Sequence, residues 1–416
     1  MFERMMDEMV SNENARKAWE AVRRNKGSSG IDRMTIGTFE EHLKKNWDRI
    51  REKLLSGKYA PSPVRRVEIA KPDGGKRMLG IPTVQDRFIQ QMLLQTMQTV
   101  FEPMFSDRSY GFRPGRSAHN AVRKAQEYAR GGKTWVVDID ISKFFDHVNH
   151  DILMSKVGKT IRDKRVLRLI GRYLRSGAME NGVVRETTEG TPQGGPLSPL
   201  LANIYLDALD KELERRNLSF CRYADDCNIY VGSRRAAEEA MGNIVKWIEE
   251  NLRLKVNAEK SGVGRPQERK FLGFTINRQG LIEVAKKSIA RFKEKVRFLW
   301  RSCQSLSSKQ LRDNWRTFVR GWWNYYRIAE ERRGVFGLEG WIRRHIRKCF
   351  WLRWHNSKGR LNALKSLGVG GRALLSAKSG KGAWRMANTP SLKNALKNLV
   401  LKRYGFLMPS DLLPAI

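Results

Sequence analysis

Two apolar stretches of this chain run into aspartates, and that constrains what it can become. Thr134-Trp135-Val136-Val137-Asp138-Ile139-Asp140 is rich in β-branched and aromatic residues and reads as a buried strand ending in acid. Phe220-Cys221-Arg222-Tyr223 and Asn228-Ile229-Tyr230-Val231 read as two further strands, joined by a tight turn that carries Asp225 and Asp226. Alternation along the first strand puts Asp138 and Asp140 on one face. Adjacent carboxylates at a hairpin tip repel each other unless solvent or a cation offsets the charge. An Asp-rich solvated turn would need no partner, but these flanking strands are apolar.

Charge makes the acids stand out. The 416 residues include 80 Lys and Arg against 43 Asp and Glu, a net charge of +37. Such an excess is self-repelling and implies a polyanionic partner. A nucleic acid fits better than a membrane, because no apolar run of about 18 residues is present. The N-terminus lacks the basic-then-apolar layout of a secretory signal. The four cysteines form no CxxC pair, which argues against a zinc site or a disulfide framework and for a reduced, cytoplasmic protein. Hydrophobic residues reach 40%, with 12 Trp, enough for real cores. Local acid inside a basic, polyanion-binding chain points to a divalent metal. Hard carboxylate oxygens beside a phosphate-bearing substrate suit Mg²⁺, with two ions serving nucleotidyl transfer.

Strands and helices alternate in the first two thirds, which predicts an α+β or α/β catalytic domain to about residue 285. Helices are expected around residues 14–22, 38–55, 86–100, 118–128, 150–174 and 197–214. A hairpin is expected over Val64–Ile69 and Lys76–Pro82, turning through Lys71-Pro72-Asp73-Gly74-Gly75. From 286 to 350 there are 18 Lys and Arg against 5 Asp and Glu, mostly in helical periodicity, and eight of the 12 tryptophans lie beyond residue 299. Trp300, Trp315, Trp322 and Trp341 are expected in the core of a small helical bundle whose basic faces bind nucleic acid. The stretch after 360, rich in Gly, Ser and Lys, looks like a small appended module.

Four segments stand in a telling order: Tyr110-Gly111-Phe112-Arg113-Pro114-Gly115-Arg116-Ser117-Ala118-His119, Asp138-Ile139-Asp140-Ile141-Ser142-Lys143-Phe144-Phe145-Asp146, Gly190-Thr191-Pro192-Gln193-Gly194-Gly195-Pro196-Leu197-Ser198-Pro199 and Tyr223-Ala224-Asp225-Asp226. Together they resemble the motifs of reverse transcriptases encoded by bacterial group II introns, which double as splicing maturases. Gly321-Trp322-Trp323-Asn324-Tyr325-Tyr326 and Gly340-Trp341-Ile342-Arg343-Arg344 resemble the maturase, or thumb, region. The short N-terminal extension and the end near 416 look most like the compact group IIC type.

The resemblance implies a right-hand polymerase: an N-terminal extension (1–60), fingers and a palm with an antiparallel sheet (61–285), an α-helical thumb (286–359) and a small C-terminal helical, DNA-binding-like module (360–416). It implies that Asp138 and Asp225 ligate two Mg²⁺ ions, with Mn²⁺ as a substitute, that Asp226 supports them and that the Ile139 carbonyl completes the coordination. Lys71 and Arg77 would clamp the incoming dNTP, a point charge and a forked donor aimed at phosphate oxygens. Arg65 would pack over the templating or incoming base. Phe145, or else Phe144, would be the steric gate against a ribose 2′-hydroxyl. Gln193 and Gly194 would lie against the nascent pair, where glycine lets backbone approach closely. Lys260 stands where a lysine would protonate departing pyrophosphate. Phe271-Leu272-Gly273 would grip the primer, and the Asn25–Asp32 loop, with Gly27 and Gly30, would cover the template.

The implied partners are the intron RNA, an RNA template with its DNA primer, and target DNA. The implied role is splicing of the intron followed by its copying into DNA during retrohoming. Two other readings stand beside it: a host-adopted reverse transcriptase in DNA repair or phage defence, and an RNA-binding splicing factor with an inactive polymerase fold. Ala224 matches the intron enzymes, and the intact Asp138, Asp225 and Asp226 speak against an inactive fold. The six His and four Cys offer no nuclease-like cluster. Insertion is therefore expected to use an existing DNA end or a host-made nick.

Overall fold

Capping side chains start the first helices where the sequence supplies them. In the computed structural model, the residues described are 3–70, 75–180, 183–185, 189–191, 194–301 and 305–413. After a short helix α1 (Met5–Met9), Ser11 accepts from the Asn14 amide and opens α2 (Asn12–Asn25). Thr35 and Thr38 form a reciprocal capping box at the head of α3 (Ile36–Leu55). Strands β1 (Val64–Ala70) and β2 (Lys76–Ile81) pair antiparallel, with Arg65 across from Ile81. Helices α4 (Val84–Phe101) and α5 (Ala118–Arg130) lead to β3 (Trp135–Asp140).

The sequence predicts one helix over 150–174, but the structure has two: α6 (His150–Thr160) and α7 (Lys164–Arg175). Asp163 explains the break. One oxygen accepts from the Arg165 amide as the N-cap of α7, and the other accepts from the amide of Met6, 2.9 Å away. A buried carboxylate so held also ties the chain's beginning to its middle.

Short strands β4 (Ala178–Glu180) and β5 (Val183–Arg185) extend the first sheet in the order β2-β1-β4-β5. Helix α8 (Ser198–Arg215), strands β6 (Ser219–Tyr223) and β7 (Asp226–Val231), helix α9 (Arg234–Trp247) and β8 (Gly262–Gly264) follow. The second sheet runs β6-β7-β3-β8, antiparallel throughout. Directly opposed residues share a face. One face therefore carries the rows Phe220, Ile229, Val137 and Arg222, Cys227, Ile139, all wholly buried. The other carries Tyr223, Asp226, Asp140 and Cys221, Asn228, Asp138. Acid thus lines one side of a sheet whose other side is core.

The chain divides into two compact units after Arg265, earlier than the boundary expected near 285. One core runs through the first unit from Met5 to Leu254. The second unit holds a hairpin of β9 (Phe274–Ile276) and β10 (Ile282–Val284), then α10 (Lys286–Leu299), α11 (Ser308–Tyr326), α12 (Arg333–Phe336), α13 (Glu339–Arg353) and shorter helices. Trp300 and Trp315 are core residues as expected, while Trp322 and Trp341 are half-buried at its edge. Leu364, Leu392, Leu396, Leu401 and Phe406 belong to that same core, and the Trp315 indole donates to the Leu407 carbonyl at 2.7 Å. The segment after 360 is therefore packed into the helical unit.

Candidate active site

Strands β6 and β7 are joined by Ala224 and Asp225 alone, with Tyr223 across from Asp226. Ala224 takes φ +57°, the left-handed region that hairpin turns of this length require and that alanine disfavours. The register into β3 then separates two carboxylates that alternation along β3 leaves equivalent. Asp140 lies directly across from Asp226, whereas Asp138 lies across from Asn228, two pairs further from the turn.

Hydrogen-bond alternation sharpens this. Tyr223 and Asp226 close the hairpin as a bonded pair, so Asp140 and Asp226 form a narrow, non-bonded pair with Cα atoms about 4.5 Å apart. By the same alternation the N–H and C=O of Ile139 are engaged in the ladder with Cys227. Beyond the strand, the Ser142 amide donates to the Lys255 carbonyl and the Asn257 amide to the Asp140 carbonyl. That pattern turns the C=O of Ile141 away from Val256, toward the Ala224–Asp225 side. Asp140 and Ile141, not among the expected ligands, thus face the turn, and Asp138 and Ile139 lie two residues behind them.

Several expected neighbours gather around this end of β3. The Asp140 amide donates to the Ser261 hydroxyl at 2.9 Å, and Lys260, exposed, immediately precedes that serine. Phe144 is buried against Tyr205, while Phe145 remains half-exposed. The Thr191 amide donates to the Phe145 carbonyl at 2.7 Å. A Cβ on Gly194 would meet the Gly80 carbonyl at 2.5 Å, so this glycine (φ +125°) lets the loop lie against β2. Gln193 and Lys71 lie outside the described residues, as does the Arg77 side chain; the Arg77 backbone pairs with Ile69.

The Asn25–Asp32 loop is held onto the β1–β2 sheet. Arg65, expected over a base, donates from Nε and Nη2 to the Ser29 carbonyl at 3.3 and 3.0 Å. A Cβ on Gly30 would meet the Thr83 backbone at 2.7 Å, and one on Gly27 would meet the Arg87 guanidinium at 2.4 Å. Asn25 ends α2, and Lys26 follows at φ +47°.

In the second unit, Phe271 and Phe274 exchange two backbone hydrogen bonds around Leu272 and Gly273, both at positive φ. The Tyr325 hydroxyl donates to the Leu272 carbonyl at 2.8 Å, and the Ala285 amide and Ser288 hydroxyl donate to that of Gly273. The residues expected to grip a primer thus form a rigid turn tied to α10 and α11.

Residues 69–276 match the family model described as reverse transcriptase (RNA-dependent DNA polymerase), and residues 289–367 match the group II intron maturase-specific domain. The chain belongs to the group II intron reverse transcriptases. It is 34% identical over 272 residues to Protein YkfC of Escherichia coli K12, covering 56% of this chain and 71% of that protein. It is 41% identical over 209 residues to the group II intron-encoded protein LtrA of Lactococcus lactis, covering 49% of this chain and 34% of that relative. A solved telomerase from Candida albicans, in complex with a TWJ fragment of telomeric RNA, is 13% identical, with a TM-score of 0.45 over 88% of this chain and 66% of that one. By family, then, this is an RNA-directed DNA polymerase joined to a maturase domain. Among the described residues no helix is long and apolar enough to cross a membrane.

Proposed function

We propose that the chain copies RNA into DNA at the Asp140–Asp225 end of the second sheet, using two Mg²⁺ ions, and that it assists splicing of a group II intron RNA. The observation that carries this reading is the cross-strand register, which opposes Asp140 and Asp226 beside Asp225. Opposed carboxylates on a narrow pair repel and are stabilised by a cation. Among the described residues no group of three or more His, Cys, Asp or Glu side chains converges as a metal site. Mg²⁺ is commonly held by one or two carboxylates with substrate phosphates and water completing its shell, and Asp140 and Asp225 would supply that number. When bound, the ions would activate a primer 3′-hydroxyl and neutralise charge on the pyrophosphate leaving group.

In this reading Asp140 and Asp225 are the ligating carboxylates, Asp226 supports them and Ile141 supplies the carbonyl. That moves the assignment expected at Asp138 and Ile139 two residues toward the turn. Phe145, half-exposed, is the steric gate rather than the buried Phe144. Arg65 holds the template-covering loop through Ser29. Lys71, Arg77 and Gln193 contact the incoming dNTP, Lys260 protonates pyrophosphate, and Phe271, Leu272 and Gly273 support the primer. Intron RNA and target DNA are the proposed partners of the basic helical unit.

Extension of a DNA primer on an RNA template with Mg²⁺ tests the site. Asp140→Ala and Asp225→Ala should each abolish it, whereas Asp138→Asn should leave measurable synthesis. Activity surviving Asp225→Ala would sink the assignment. Rescue of intron splicing at low Mg²⁺, by the natural chain and by Asp225→Ala alike, tests the maturase role. Failure of both proteins to rescue would favour a host-adopted polymerase.

A further inference from the structure

Arg222 is wholly buried in the strand that enters the Tyr223–Asp226 hairpin, on the face opposite the carboxylates. A guanidinium in that position has to be fully paired. Its Nε and Nη2 donate to the two oxygens of Asp210, also wholly buried, at 2.7 and 2.5 Å. Nη1 donates to the Ala224 carbonyl at 2.9 Å and to Asn203 Oδ1 at 3.1 Å. Asn203 Nδ2 in turn donates to the Gly111 carbonyl at 2.9 Å.

Gly111 closes the circuit. Its segment runs beside β6, with the Arg222 amide donating to the Arg108 carbonyl and the Tyr110 amide to the Arg222 carbonyl. A Cβ at Gly111 would stand 2.3 Å from the Ala224 nitrogen, so only glycine permits the approach. The Arg222 bond to its carbonyl and the Gly111 approach to its nitrogen meet at Ala224, which is held at φ +57°. A glycine there would adopt that angle freely but leave the turn looser. An alanine needs to be held.

We propose that Arg222, Asn203 and Gly111, anchored by Asp210, are positioning residues that keep Ala224 left-handed and thereby set where Asp225 stands relative to Asp140. The inference rests on the polymerase reading of that pair. It also gives a role to Gly111 of the Tyr110–His119 segment, which has none in the proposed chemistry.

The full chain is assayed for primer extension on an RNA template, measuring kcat, KM for the primer–template, the Mg²⁺ concentration at half-maximal rate, and thermal unfolding. Asn203→Ala leaves the Arg222–Asp210 pair intact. It should lower kcat roughly 10- to 100-fold, the scale of a misplaced reacting group, and raise the Mg²⁺ requirement severalfold with KM unchanged. In the Ala224→Gly background the same substitution should cost distinctly less, because glycine reaches that angle without strain and so depends less on the surrounding bonds. Where Asn203→Ala fails to fold, Asn203→Asp keeps the acceptor for Arg222 and replaces the donor to Gly111 with a buried carboxylate facing that carbonyl. Gly111→Ala should shift the Mg²⁺ requirement in the same direction.

A folded Asn203 variant with natural kcat and Mg²⁺ dependence would overturn the inference while leaving the polymerase reading in place. So would equal losses with and without Ala224→Gly. If the natural chain extends no primer at all, the polymerase reading fails and this inference falls with it.

Discussion

Phe144 and Phe145 are adjacent in the chain and differ in surroundings. Phe144 packs edge-on to Tyr205 in the core, so Phe144→Ala should cost about 3–5 kcal/mol, measured by urea unfolding. Phe145→Ala should cost far less stability and should instead raise ribonucleotide incorporation in primer extension; unchanged sugar selectivity would remove Phe145 as the gate. Asp207, on the same helix as Asp210, offers a pH-dependent test. Burial first, then the nearby Asp210, pushes its carboxyl up to about 6, and one of its oxygens has no hydrogen-bond partner. A carboxyl raised in the fold favours the native state fully below its unfolded value of 3.8, and that contribution is lost as pH rises through about 6. Asp207→Asn should therefore raise the urea midpoint at pH 8 and change it little at pH 4. A stabilisation equal at both values would refute the buried-charge account.

At the scale of elements, the loop from 25 to 32 is held to β1 by Arg65 and lies at Gly30 against the Thr83 backbone, just past β2. Gly30→Ala would drive a methyl into the Thr83 backbone. The loop should then lift and become protease-sensitive, while extension of a primer already annealed continues. Loss of both together would mean that the loop is needed for folding rather than for covering the template. The break between α6 and α7 is similar in kind. Asp163 lies inside a helical pattern that reads as continuous over 150–174, and its second bond, to Met6, joins positions 157 residues apart and leaves no local pattern. Asp163→Ala removes a cap and leaves the Met6 amide unpaired, a cost of about 2 kcal/mol or more in thermal or urea unfolding.

Across the whole molecule, charge and core divide the work. On the proposed polymerase reading, the net +37 predicts that binding of an RNA–DNA duplex weakens steeply with salt, by roughly 10³-fold between about 50 and 200 mM if several phosphates are neutralised. A flat salt response in a filter-binding or anisotropy titration would discredit the basic helices as the nucleic-acid surface. The stretch after 360 shares its core with Trp300 and Trp315. Ending the chain at residue 359 should therefore unfold the second unit and leave it aggregation-prone, instead of removing a separable module. Its composition hid this, because leucines at helical spacing show that a helix buries a face and say nothing about what covers it.

The sequence by itself determined the α+β order of elements, the acid-ended strands, the family and the candidate turn at Asp225 and Asp226. Each rests on local spacing or on motif order, which a chain displays without folding. Register between strands decided the rest. Alternation along β3 makes Asp138 and Asp140 equals, and only pairing with β7 sets Asp140 against Asp226 and turns Ile141 toward the hairpin. The Arg222, Asp210, Asn203 and Gly111 circuit is likewise invisible along the chain, because its members meet across long sequence separations in an interior where only fully paired polar groups persist.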